Sequence, residues 1–189
     1  MTEDICVSLD SWIIQDGNYG DFARGDRRAF ALEFHAEELV AVPDWETTEV
    51  SFRRQRGAAY KVRARKVFEA AGWRVIDFGL LAYSEDGSIV PGDGAVRGRI
   101  ELGVDPFTYF ERLARTTDAP ALIYDWEIRQ IERGVLPGAA PGDDSTLPRA
   151  AAPLIEVDRT KAWTDEGGRA TYLLHCRRLP GEPRRTLQP

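Results

Sequence analysis

The densest chemistry in this 189-residue chain is cationic. Arg53, Arg54, Arg56, Lys61, Arg63, Arg65 and Lys66 stand between positions 53 and 66 with no acid among them. Tyr60 lies inside the run, and Phe52, Phe68 and Trp73 flank it. On a strand, Lys61, Arg63 and Arg65 share one face because side chains alternate, a spacing suited to tracking phosphates while an aromatic such as Tyr60 stacks bases. The C-terminal region adds Arg177, Arg178, Arg184 and Arg185. Against this stands a net charge of -6 and a sequence pI near 5.1, where a dedicated nucleic-acid domain is usually basic. Screening nevertheless confines each patch to a Debye length of about 10 Å, so local charge can act alone. The simpler arrangement pairs these cations with Glu33, Glu37, Glu38, Glu46 and Glu49 across neighbouring strands, an ordinary feature of sheets.

Other constellations carry less. His35 and His175 are the only histidines, each on an expected strand, and neither has a second histidine at metal-ligand spacing. A site built from Cys6, His35 and His175 would require three distant segments to converge. Asp16, Asn18, Asp21 and Asp26 offer clustered oxygens, but not in the register of a calcium loop, and such residues equally bond their own backbone in turns. Glu33, His35 and Glu37 form a row that could orient an imidazole or simply face solvent. No nucleophile elbow and no glycine-rich phosphate loop in a strand–loop–helix setting occurs. The sequence therefore calls for no metal or other cofactor and leans away from enzymatic chemistry.

Five tryptophans and eight phenylalanines exceed what one small β core consumes. Trp45 and Trp163 sit where partial exposure is expected, and exposed aromatics anchor protein interfaces. The first expectation is thus a non-catalytic binding or accessory β-domain that engages another protein or a second copy of itself. The alternative is a single-stranded nucleic-acid-binding β-barrel using the 53–66 run. A small hydrolase or metal-dependent enzyme comes third.

The elements that must position these residues read as mainly β. Ile5, Val7 and Leu9 alternate with polar residues, and the strand is expected to run through Trp12, Ile13 and Ile14. Phe30 to Ala36 alternates again. Residues 58–71 fit a helix in isolation, yet their neighbours on both sides are strands, and the strand reading follows from that setting. Trp73 to Tyr83 is an almost continuous apolar run with Gly79 inside, as for a central strand with a bend. Val96 to Val104 and Leu122 to Arg133 are further strands. Asp105-Pro106 offers a cap and a first helical position, so one short α-helix is expected near 106–115.

Together these predict an antiparallel β-barrel or sandwich, OB-like in one version. The expected organisation is a core β domain over 1–133, a Pro/Gly/Ala-rich loop over 134–153, a β-hairpin over 154–179 that completes the same domain, and a flexible tail over 180–189. No apolar run reaches the roughly 18–20 residues of a membrane span. The N-terminus lacks the pattern of a secretory signal. Both point to a cytoplasmic protein with no membrane partner, in which Cys6 and Cys176 stay reduced. Only Lys61, Lys66 and Lys161 among the 25 basic residues are lysines, a codon bias of high-GC bacterial genomes.

Overall fold

The computed structural model describes residues 4–43, 49–70, 72–85, 94–134 and 153–187. The chain is mainly β, and its centre is a closed five-stranded barrel. Its strands are β3 (Leu32–Ala41), β5 (Ala59–Ala70), β6 (Trp73–Asp77), β7 (Leu81–Ser84) and β8 (Ala95–Val104). Antiparallel pairing runs β3–β8, β8–β5, β5–β6 and β6–β7, and a parallel β7–β3 contact, Leu32 opposite Ala82, closes the ring. A short strand, β4 (Ser51–Arg54), lies on the free edge of β5.

A second sheet grows from the barrel. β1 (Asp4–Asp10) touches β8 in parallel at Ser8 and Gly103, and pairs along its other edge with β11 (Thr171–Arg178). β11 in turn pairs with β9 (Tyr124–Gly134), whose far edge takes both β2 (Arg27–Phe30) and β10 (Leu154–Val157). The pairing is mostly antiparallel, as the sequence suggests, and the parallel contacts at β1–β8 and β3–β7 make the sheet mixed. Among the described residues no helix is long and apolar enough to cross a membrane.

Alternation decides the faces. Tyr60, Val62 and Ala64 of β5 are buried inward, while Lys61 and Arg65 point out. The main core joins the barrel interior (Phe34, Val62, Ile76, Phe78, Ile100) to the inner face of the second sheet (Leu9, Trp126, Ile131, Tyr172). A smaller cluster lies outside β6 and β7, where Trp73, Val75 and Tyr83 pack against Tyr109, Leu113 and Leu122. Burial on both faces explains the unbroken apolar run at 73–83.

That run is two strands rather than one. Asp77 Oδ1 accepts from the Gly79 amide at 2.9 Å, and Gly79 takes φ +109°, so the chain reverses between β6 and β7 through an Asp-initiated turn. The first strand likewise ends sooner than its apolar run. Ser11–Gln15 is a helical turn, α1, because the Ser11 hydroxyl and amide both bond the Ala170 carbonyl. The helix expected over 106–115 shrinks to α2 (Thr108–Glu111) followed by a 3-10 turn at Leu113–Arg115. Asp105 accepts from the Tyr109 amide at 3.1 Å, and Phe107 adopts φ +72°, which delays helical geometry past Pro106.

The expected 154–179 hairpin does not form: β10 and β11 both pair with β9 and not with each other. Asp165–Gly168 makes a 3-10 turn with left-handed residues that Gln15 fastens to α1, its amide donating to the Ala162 and Gly168 carbonyls at 2.8 Å each. The tail is docked through residue 187. Arg184 exchanges backbone hydrogen bonds with Ile123, its guanidinium grips Asp125 at 2.6 and 2.8 Å, and Leu187 packs on the outer cluster. Residues 135–152, which hold most of the expected loop, lie outside the described residues.

β5 and β1 share one edge of β8, and at their fork Tyr60 takes the place of a strand. Its hydroxyl accepts from the Cys6 amide at 2.6 Å and donates to the Cys6 carbonyl at 3.1 Å; burial pushes its pKa up to about 12. Tyr60→Phe leaves both buried backbone groups unsatisfied and is expected to cost about 1–3 kcal/mol in urea unfolding. Loss below about 0.5 kcal/mol would mean that the clamp carries no weight. On the opposite edge of β8, Gly98 sits beside a bulge in β3, and a Cβ there would lie 1.8 Å from the Glu38 carbonyl oxygen. Gly98→Ala must push β3 from β8, so a destabilisation of about 3 kcal/mol, the upper end of overpacking costs, is expected in the same measurement.

Candidate functional site

The pairing register gathers cations from three strands onto one outer face. Arg53 on β4 lies opposite Lys61 on β5, which lies opposite Arg99 on β8. The next row places Ser51 beside Arg63 and Arg63 beside Arg97, and Arg65 follows two residues on. All five arginines and Lys61 are exposed or half-buried. Like charges directly across a sheet destabilise it, so this arrangement opposes the stability of the barrel that carries it.

Acids stand beside the run: Asp77 on β6 is the cross-strand neighbour of Arg65, and Arg99 meets glutamates expected to pair with it. Arg99 has Glu37 at 3.3 Å and Glu38 as its cross-strand neighbour. Glu33 instead stands 3.7 Å from His35. Glu46 and Trp45 lie outside the described residues.

Not every residue of the run joins the face. Lys66 follows the line of β5 into a bulge and bonds Glu69 at 2.6 Å. Arg54 donates to the Gly57 carbonyl at 2.8 Å, and Arg56 occupies the β4–β5 turn. Tyr60 is 1% exposed, which removes it as a stacking residue. Phe52 turns inward onto Tyr60 and Phe78, and Phe68 packs on Trp73. The aromatics of the segment therefore build core, and the face offers cations without rings. Arg97 and Arg99 were missed by reading 53–66 alone; their signal is the alternation of Val96, Arg97, Gly98, Arg99 and Ile100.

The exposed aromatics sit elsewhere. Trp163 is 68% exposed and Trp12 48%, on the two segments that Gln15 ties together.

Among the described residues no group of three or more His, Cys, Asp and Glu could hold a metal ion. Asp21 Oδ1 accepts from Thr160 Oγ1 at 2.9 Å and the Ala162 amide at 3.0 Å, while Asp26 accepts from the Ala23 amide and Arg28. Asp21 thus moors the 16–28 loop to the segment after β10, and Asp26 braces the loop internally. Burial raises the Cys6 pKa to about 11 and lifts that of Cys176 as well, so both are inert thiols.

Asp105 is the most perturbed carboxyl group. It is 1% exposed, accepts from the Tyr83 hydroxyl at 2.6 Å, and faces Glu33. Burial lifts its pKa from 3.8 to about 6, although the Tyr83 hydroxyl and the Tyr109 and Phe110 amides pull it down. The folded state thus favours the protonated acid more than the unfolded chain does. Its contribution to stability is complete below pH about 4 and fades as pH rises through about 6. Chemical denaturation of the wild type should show this loss, on the order of 3 kcal/mol, and Asp105→Asn should remove that part of the slope. Equal slopes in the two proteins would refute the assignment.

Comparison with protein-family models, curated proteins and solved structures finds no match.

Proposed function

We propose that this chain is a non-catalytic binding module that holds the phosphodiester backbone of single-stranded nucleic acid on the outer face of β4, β5 and β8. The observation that carries this reading is the cation ladder: Arg53, Lys61 and Arg99 in one row, Arg63 and Arg97 in the next, with Arg65 beyond. Along β5 the cations repeat every second residue, about 6.7 Å, the scale of one extended nucleotide. Across the strands they are separated by about 4.8 Å, so cations on adjacent strands can embrace one phosphate from two sides. Such a face concentrates field locally despite the acidic total of the chain, because distant acids are screened. With its aromatic rings turned inward, the face reads charge and spacing rather than bases, so binding should be tolerant of sequence.

A second reading, contact with another protein or a second copy, is supported by Trp163 and Trp12, exposed on neighbouring segments. It would leave the basic face unused.

For the nucleic-acid reading, fluorescence anisotropy of a labelled mixed-sequence oligonucleotide should show log K falling with log salt at a slope of about -3 to -4, as for five or so phosphates on a single strand. Arg63→Glu combined with Arg65→Glu should weaken binding at least tenfold at low salt, since each reversal replaces an attraction by a repulsion. Binding that ignores salt, or that survives both reversals, would leave the protein-contact reading standing instead.

A further inference from the structure

Between the β4–β5 turn and the end of the second sheet lies a cleft of about 210 Å³, lined by Asp4, Ile5, Arg54, Arg129, His175 and Cys176. Three strands of distant sequence, β4, β9 and β11, bring basic side chains to it. A Cβ at Gly57 in the turn would lie 3.6 Å from Leu173 of β11, so the turn passes close to the second sheet.

Each polar group is oriented. Arg54 spends Nε on the Gly57 carbonyl at 2.8 Å, which fixes the guanidinium plane and leaves both Nη groups without a hydrogen bond among the described residues. Arg129 gives Nη1 to Glu127 at 3.0 Å, leaving Nη2. His175 Nε2 lies 2.8 Å from Glu132 Oε2. With Nε2–H committed to that carboxylate, Nδ1 is the nitrogen left for a ligand. The Asp4 carboxylate has no hydrogen-bond partner among the described residues. Ile5 and the neutral Cys176 thiol supply an apolar wall.

Two guanidinium forks suit an oxyanion such as a phosphate monoester. Asp4, able only to accept, suits a hydroxyl beside that phosphate. The volume is smaller than the roughly 300–1,000 Å³ of sites that enclose a whole ligand, so it takes a group or a chain end. We propose that this cleft binds a phosphorylated sugar: the phosphate on Arg54 and Arg129 with His175 beside it, the hydroxyl on Asp4, and the sugar carbons on Ile5 and Cys176. The source is either a free sugar phosphate or the phosphorylated end of a strand. The second source rests on the nucleic-acid reading, Arg54 of the cleft being the chain neighbour of Arg53 of the basic face.

The test is nitrogen-15 NMR of the His175 imidazole during titration with ribose 5-phosphate, inorganic phosphate and ribose. Both phosphates should shift His175 and ribose should not. Arg129→Gln, an exposed position, should weaken ribose 5-phosphate about tenfold or more, as for a lost hydrogen bond to a charged group. Asp4→Asn should weaken ribose 5-phosphate and spare inorganic phosphate. A 5′-phosphorylated oligonucleotide that binds about tenfold tighter than its 5′-hydroxyl twin, with the gain lost in Arg129→Gln, identifies the strand end; equal affinities alongside ribose 5-phosphate binding identify the free sugar phosphate. The double reversal at Arg63 and Arg65 should reduce oligonucleotide binding while leaving ribose 5-phosphate untouched, which separates the cleft from the face. A His175 resonance unmoved by either phosphate overturns the proposal.

Discussion

The architecture depends on how one edge of β8 is divided. Along residues 95–101 that edge belongs to β5, and at Gly103 it passes to β1. The two strands must diverge there, since one edge cannot hold both, and divergence exposes the backbone of β1 at Cys6. Buried amides and carbonyls need partners, and the Tyr60 hydroxyl supplies both at once. A barrel and an open sheet are joined in this way into one continuous core, with Val62 and Ile100 on the barrel side and Leu9 and Tyr172 on the other. The opposite edge of β8 follows β3 across a bulge, and Gly98 gives the Glu38 carbonyl room to approach.

The same register that seals the barrel sets its outer chemistry. Since Tyr60 lies opposite Ile100 on the inner side, Lys61 must lie opposite Arg99 on the outer side, and Arg63 opposite Arg97. Cation beside cation costs stability, and the barrel can sustain that cost because β5 is held on both edges and by Tyr60. Turning Phe52 and Tyr60 inward strengthens the core and removes rings from the face. Structure and chemistry thus compete for the same residues, and the core takes the aromatics while the surface keeps the arginines.

The peripheral segments are fastened by side-chain hydrogen bonds. Gln15 holds the Asp165–Gly168 turn, Asp21 holds the segment after β10, and Arg184 ties the C-terminal region to β9 through Asp125. Asp105 does the same for α2, at the expense of burying an acid beside Tyr83. Most of these bonds join residues far apart in sequence, and they convert segments rich in Gly, Asp and Pro into ordered parts of the fold.

Which residues face inward along β1, β3, β5, β8 and β9 was legible in the sequence, because alternation is a local property of extended chain. The β class, the strand nature of 59–70 and the cation run all follow from neighbours a few positions apart. Partner choice is not local. Gly79 reads locally as a bend, but Asp77 caps a full reversal there, and the segments flanking Asp165–Gly168 have a hairpin pattern although β9 takes both strands. Tyr60 shows the limit most clearly: its place among arginines suggested a stacking ring, yet alternation alone already put it on the face opposite Lys61. What the sequence by itself determined is the two-faced character of each strand. Only the tertiary structure decided which strands meet, and therefore that Arg97 and Arg99 stand beside Lys61 and Arg63, because pairing depends on closing a barrel around a shared core rather than on any local pattern.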